Sequence, residues 1–223
     1  MNSFEPRLDA LPLAQRAIWP LLAPSIQLGL VLYGGTAIAL RLGHRTSVDF
    51  DFFMETPLDN RRLERELPFL RTSKTLQSQP DTLTVLVPVA QSDVKVSFFG
   101  SIDIGRVGVP ELTSDGVVEV ASLRDLLATK LKVILQRVEA KDYQDIAAIL
   151  RSGLRLEEGL AAAAQLFAPV FQPSEAVKAL SYFEGGDLDR LSSSDRGVLT
   201  HAASTIRRIP VAGRLSRSLS SRA

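Results

Sequence analysis

The sequence predicts an α+β fold: an α/β head built on a small sheet, then a helical C-terminal half. Two observations carry this. Apolar runs that alternate in the strand manner all fall before residue 121, and helical periodicity takes over from Ser122 almost to the end. Strands first and helices afterwards are the mark of segregated α and β layers. The expected divisions are 1–121 for the head, 122–208 for the helical part, and 209–223 for a flexible basic tail rich in Ser and Arg.

Taken in order, residues 11–27 read as an amphipathic helix, and Leu30 to Tyr33 as a buried strand. Gly34 and Gly35 break the run before a short helix ending at Leu42. Residues 48–53 alternate as a strand, and 59–70 look helical. Runs near 73–78, 82–89 and 93–99 suggest an antiparallel or mixed sheet. Gly, Pro and Asp punctuate 100–116, which reads as loop, with a short strand at 117–120. The expected helices beyond are 123–138, 142–152, 156–167, 174–183 and 195–208.

The composition bounds the class. The chain has 223 residues, 45% of them hydrophobic, enough for one good-sized core or two small ones. No run reaches the roughly 18–20 apolar residues of a membrane span. The start, Met1-Asn2-Ser3-Phe4-Glu5-Pro6, lacks the basic opening and apolar run of a secretory signal. Cysteine is absent, so disulfides and thiolate metal sites are excluded, which suits a cytoplasmic setting. Net charge is +1, yet Arg207, Arg208, Arg214, Arg217 and Arg222 close the chain with no acid among them. Such an end is either a frayed, solvated tail or a nucleic-acid contact.

Two segments carry chemistry. In Leu32-Tyr33-Gly34-Gly35-Thr36-Ala37 a strand passes through two glycines into a helix. Glycines let backbone N–H groups approach a phosphate, and the helix N-terminus favours an anion. The Thr36 hydroxyl adds a further donor. Asp49 and Asp51 stand two apart in Val48-Asp49-Phe50-Asp51-Phe52-Phe53. Period two puts both carboxylates on one face, with Val48, Phe50 and Phe52 turned to the core. Two like charges on one strand face repel. Either Mg²⁺ neutralises them, binding through carboxylates and substrate phosphates, or the face is solvated with Arg45 as counter-ion.

In the helix opening at Ser122, Leu123, Leu126, Leu127, Leu131 and Ile134 form an apolar face at about 100° per residue. Lys130 falls near its middle and Arg137 close by. An inward lysine needs a partner, because burying an unpaired charge is costly. The partner is either an internal acid or a phosphate. In the following Ala140-Lys141-Asp142-Tyr143-Gln144-Asp145-Ile146, Asp142 is placed as an N-cap, with Asp145 in the first turn.

The run Gly34-Gly35-Thr36-Ala37, then Gly43-His44-Arg45-Thr46-Ser47-Val48-Asp49-Phe50-Asp51-Phe52-Phe53, resembles the AbiEii/AbiGii toxin nucleotidyltransferases of the DNA polymerase β-like superfamily. Lys130, then Arg137, then Lys141-Asp142-x-x-Asp145, resembles the second signature of the same family. Together the signatures span about 30–150. The resemblance implies a polymerase β-like core sheet with flanking helices, and triphosphate contact by Gly34 and Gly35, extended to Thr36, Arg45 and Ser47. It implies Mg²⁺ ligation by Asp49 and Asp51, as one ion or two. It assigns Lys130 to nucleotide or phosphate, and Asp142 or Asp145 to the active site. The function implied is nucleotide transfer from an NTP to an RNA or tRNA end, or to a protein hydroxyl, within a toxin–antitoxin or phage-defence system with a cognate antitoxin.

One position departs from the pattern. Such enzymes carry a third acid on a neighbouring strand, and here that position falls on Lys95 or Ser97. Asp145, or second Asp93, is then the expected base. The alternative is a non-catalytic nucleotide-binding or regulatory protein on the same fold.

Overall fold

Phe50, Phe52 and Phe98 are fully buried, and their alternation with polar neighbours builds the middle of the sheet. The structure, a computed structural model, describes residues 2–90 and 92–222. Its elements in chain order are β1 (Ser3–Phe4), α1 (Leu13–Ile18), β2 (Val31–Tyr33), α2 (Gly34–Leu42), β3 (Asp49–Phe53), α3 (Asn60–Glu66), β4 (Lys74–Gln79), β5 (Thr82–Val87), β6 (Val94–Phe99), β7 (Glu111–Thr113) and β8 (Glu119–Val120). They continue as α4 (Leu123–Val133), α5 (Ala140–Arg151), α6 (Leu156–Leu166), α7 (Pro173–Ala179) and α8 (Ser193–Thr205). No helix among the described residues is long and apolar enough to cross a membrane.

The chain divides into two compact units. The first holds the sequence up to Gly105, Val109–Ser122 and the chain end from Ser216. The second holds Arg106–Gly108 and Leu123–Leu215.

In the first unit one mixed sheet runs β1-β7-β8-β2-β3-β6-β5-β4. β2 is antiparallel to β3, pairing Val31 with Phe53 and Tyr33 with Asp51. β3 is parallel to β6, pairing Asp49 with Lys95 and Asp51 with Ser97. Arg41 of α2 ties in the far edge. Its guanidinium bonds Glu111 at 2.5 Å, donates to the carbonyls of Val120 and Ala121, and stacks 4.2 Å over Phe4.

Four expectations need correction here. Residues 11–27 do not form one helix: α1 stops at Ile18 and a 3₁₀ stretch, Trp19–Ile26, follows. Pro20 and Pro24 lack the N–H that an α-helix would use. Val48 does not enter the core; it precedes β3 and is exposed. The loop at 100–116 contains β7, whose three residues are too few to show a period. The expected flexible tail is anchored at its end. Leu219 and Ser220 are buried, Ser218 donates to Glu55 at 2.5 Å, and Ser220 donates to Glu119 at 2.6 Å. The Leu219 and Ser221 amides bond the same two carboxylates at 3.2 and 2.8 Å. Serines that suggest solvation by composition act here as donors to acids more than 100 residues away in sequence.

In the second unit the leucines of α4 pack on α6 at Gly159. A Cβ there would lie 2.3 Å from the Leu127 side chain and 3.2 Å from Leu131. Asp125 in the first turn of α4 is buried and accepts the Val107 and Gly108 amides at 2.8 and 3.1 Å, pinning the 106–108 segment. Gly159→Ala should destabilise this unit by about 1–3 kcal/mol through overpacking. Denaturant unfolding should show a lower midpoint with an unchanged slope; an unchanged midpoint would mean the helices separate freely.

Candidate functional site

The first cluster is assembled by short-range constraints on the entry to β3. Three groups hold this entry: the Ser47 amide donates to the Ala10 carbonyl at 3.2 Å, the Gln15 side chain donates to the Val48 carbonyl at 2.7 Å, and the Thr36 hydroxyl donates to the Asp49 carbonyl. Thr36 also shares a hydrogen bond of 2.8 Å with the Ser47 hydroxyl, and both residues are buried. Their place is therefore in the framework, where they orient Asp49. Neither presents its hydroxyl as the open phosphate donor that the sequence suggested.

Asp49 and Asp51 lie on one face of β3, both half-buried, with Phe50 and Phe52 buried opposite. Gly34 opens α2 at φ +76°, a conformation that favours glycine. A Cβ on Gly34 would lie 2.8 Å from Asp51 Oδ2. The missing side chain thus lets the turn close onto the carboxylate. Tyr33, the N-cap of α2, makes no side-chain cap, and Gly34 and Gly35 are partly exposed. The turn and the aspartate pair form one surface, and that surface offers backbone N–H groups and hard oxygen ligands together.

One counter-ion at the pair is Lys95, against Asp49. Its ammonium lies 3.0 Å from Asp49 Oδ2. Arg45, at the same end of β3, also donates to the Thr46 carbonyl at 3.0 Å. Lys95 was legible as an oddity, because it falls where a third acid was sought. The register makes the substitution explicit: Lys95 stands beside Asp49 and Ser97 beside Asp51. Asp93 is exposed and precedes β6. Among the described residues no group of three or more His, Cys, Asp or Glu gathers in metal-binding fashion. The Lys95 pair is more than a third exposed on both sides. Such a pair is worth about 0–1 kcal/mol, so a divalent cation can replace the ammonium at small cost. Two carboxylates with the remaining ligands from substrate phosphates and water also suit Mg²⁺. The residues present fit the ion.

The second cluster lies within the helical unit. Asp142 is not the N-cap of α5; the helix begins at Ala140, and Asp142 points inward from its first turn. Lys130 Nζ lies 2.7 Å from Asp142 Oδ1 and 2.6 Å from Asp145 Oδ2. Arg137 Nε is 2.8 Å from Asp142 Oδ2. Lys130, Asp142 and Asp145 are all buried. The inward lysine has its acids, so an internal ion pair accounts for its place on the apolar stripe. Asp145, expected as a base, already has an ammonium against its carboxylate.

Burial pushes the Asp142 carboxyl up, but the Arg137 hydrogen bonds and the Lys130 charge outweigh it and hold the group below the usual carboxylate range.

The sheet order, the glycine turn and the paired strand carboxylates define an α+β nucleotidyltransferase-type fold. The sequence profile described as "Nucleotidyl transferase AbiEii toxin, Type IV TA system" matches residues 21–195. The chain belongs to this AbiEii family. It is also 34% identical over 122 residues to "Uncharacterized protein aq_aa25" of Aquifex aeolicus (strain VF5), over 54% of this chain and 57% of the relative. The chain thus matches a little over half the length of that relative.

Two outcomes follow for the buried cluster. Lys130→Ala leaves Asp142 and Asp145 buried without their shared cation and should cost about 3–5 kcal/mol of stability, read as a lowered Tm. The depressed Asp142 carboxyl contributes stability in full above the ordinary carboxyl range, about pH 4. That contribution is lost as pH falls through its own lower value. Asp142→Asn should therefore lower stability at pH 7 and flatten its fall below about pH 4. A parallel fall in both proteins would remove Asp142 from the acid response.

Proposed function

We propose that the chain is an Mg²⁺-dependent nucleotidyltransferase that moves a nucleotide from an NTP to an acceptor, as the toxin of a cytoplasmic toxin–antitoxin pair. The acceptor class is an RNA or tRNA end, or a protein hydroxyl, and a cognate antitoxin is its protein partner. The observation that carries this reading is the approach of the Gly34 turn to Asp51, beside Asp49 on the same strand face.

In this reading Asp49 and Asp51 hold Mg²⁺, which when bound offsets the charge of the triphosphate. Gly34 and Gly35 offer main-chain N–H groups to the phosphates, and Arg45 adds positive charge at the same end of β3. The acceptor oxygen attacks the α-phosphorus, the bond to the bridging oxygen breaks, pyrophosphate leaves, and the acceptor proton passes to water or a carboxylate. Transfer of this kind rests chiefly on positioning and electrostatic stabilisation. The three anchors at Ser47, Val48 and Asp49 supply the positioning. Lys130, Asp142 and Asp145 act in this reading as the framework of the helical unit.

A second reading has its own observation. Lys95 and Ser97 stand where a third acid would complete the metal ligands, which favours a nucleotide-binding protein without transfer. Labelled NTPs, Mg²⁺ and a bacterial RNA pool separate the two. Transfer of label by the wild type, lost with Asp49→Asn plus Asp51→Asn, is the expected result. Measurable NTP binding without product for any nucleotide selects the second reading, and equal product from the double variant sinks the metal role. Gly34→Ala should push the Asp51 carboxylate aside and force an L-residue to positive φ, at about 1–2 kcal/mol of strain. Mg²⁺-dependent NTP affinity should then fall at least about tenfold while the fold persists; unchanged affinity would separate the turn from the nucleotide.

A further inference from the structure

A cavity of about 390 Å³ lies in the first unit, bordered by Ile26, Leu28, Met54, Arg62, Ser220 and Arg222 among others. The β2–β3 register fixes its place. Val31 pairs with Phe53 and Tyr33 with Asp51. Residues before Val31 and after Phe53 therefore lie at the opposite end of this strand pair from the Gly34 turn. The cavity is distinct from the Asp49–Asp51 face.

Its lining is amphipathic. Ile26, Leu28 and Met54 are nearly buried and give an apolar floor. Arg62 and Arg222, both exposed, are the two basic residues of its lining. Arg62 donates to the Gln27 carbonyl at 3.3 Å, and the Arg222 amide donates to Ser220 Oγ at 3.1 Å. The Arg62 amide donates to the Asp59 carboxylate at 3.1 Å, but among the described residues neither guanidinium forms an ion pair with a carboxylate. The one carboxylate in the lining, Glu55, is occupied: it accepts the Ser218 hydroxyl at 2.5 Å and the Leu219 amide at 3.2 Å. Those bonds, with the Glu119 bonds to Ser220 and Ser221, hold the chain end so that Arg222 borders the cavity. Gly29 on the same border, at φ +74°, has nothing within 4 Å of where a Cβ would stand, so the space continues beside it.

We propose that this cavity is a second binding site, for a phosphate monoester with an apolar or aromatic body. The body lies on Ile26, Leu28 and Met54, and the phosphate is taken by Arg62 and Arg222. Guanidinium forks bind phosphate with two parallel donors, which a lone ammonium does not offer. The volume lies in the range of sites that enclose a small organic ligand. A free nucleoside monophosphate and the phosphorylated end of an RNA strand share this chemistry.

Met54 makes the site directly observable, because Met1 is the only other methionine. The full chain labelled with ¹³C-methyl methionine is titrated with phenyl phosphate, AMP, a 5′-phosphorylated oligoribonucleotide and inorganic phosphate. A saturable shift of the Met54 methyl with an organic phosphate is expected, with inorganic phosphate at least about tenfold weaker. Preference for AMP or for the oligonucleotide identifies the source. Arg62→Ala with Arg222→Ala should weaken the response at least about tenfold at unchanged Tm, since both side chains are exposed. Asp49→Asn with Asp51→Asn should leave it unaltered, so failure of the transfer reading does not touch this test. The proposal is overturned by a silent Met54 methyl at millimolar ligand, by equal binding of inorganic phosphate, or by a response that survives loss of both arginines.

Discussion

The contact on which the site depends is the closure of the Gly34 turn onto the Asp51 carboxylate. It demands a residue without Cβ at positive φ, and it demands that β3 sit at one height against β2. The Tyr33–Asp51 pairing sets that height. A slip of one residue would carry both aspartates into the core and Phe50 and Phe52 into solvent. The buried phenylalanines and the half-buried carboxylates are thus two consequences of one register. Ser47, Val48 and Asp49 are fixed at their backbones by Ala10, Gln15 and Thr36, so the entry to the strand is held as firmly as its middle.

Two ion-pair arrangements in this chain differ in kind. Lys95 and Asp49 meet where solvent reaches both, and their pairing adds little stability. Lys130, Asp142 and Asp145 meet where solvent is excluded. There the net gain over a hydrophobic substitute is small, while the loss of one member is severe. The first arrangement can exchange its cation; the second cannot do so cheaply. That difference in magnitude makes the Asp49 pair the more readily opened of the two. The lysine–aspartate cluster of the helical unit is closed by its own ion pairs.

The parts of the fold legible in the sequence are those with enough residues to show a period. The alternation in Asp49–Phe53 predicted the face of both aspartates, and the helices α4, α5, α6 and α8 follow their periodic stretches to within a few residues, apart from the last turn of the first. The inward position of Lys130 signalled a buried partner, although periodicity could not say whether acid or phosphate. What escaped was non-local. β7 and β1 have three and two residues and exist only because neighbours complete them. The chain end looked like a tail because composition cannot show that Glu55 and Glu119 await its serines. Thr36 and Ser47 looked like ligand donors because hydroxyls near a glycine turn serve equally well as internal ties.

The replacement of the expected third acid by Lys95 and Ser97 is best understood electrostatically. Three carboxylates on adjacent strands would need a cation for the sheet face to be tolerable at all. With a lysine in the row, a positive charge stands against Asp49 and relieves part of that repulsion without a metal. The exchange lowers the affinity for a cation, because an ammonium must be displaced, and removes one ligand. It also leaves an ammonium beside Asp49, where a triphosphate would add several negative charges. An arrangement of this kind favours a metal that arrives with its nucleotide over one that is resident. In the proposed reaction, substrate oxygens would complete the ligand set, and Lys95 would meet a phosphate on releasing the carboxylate.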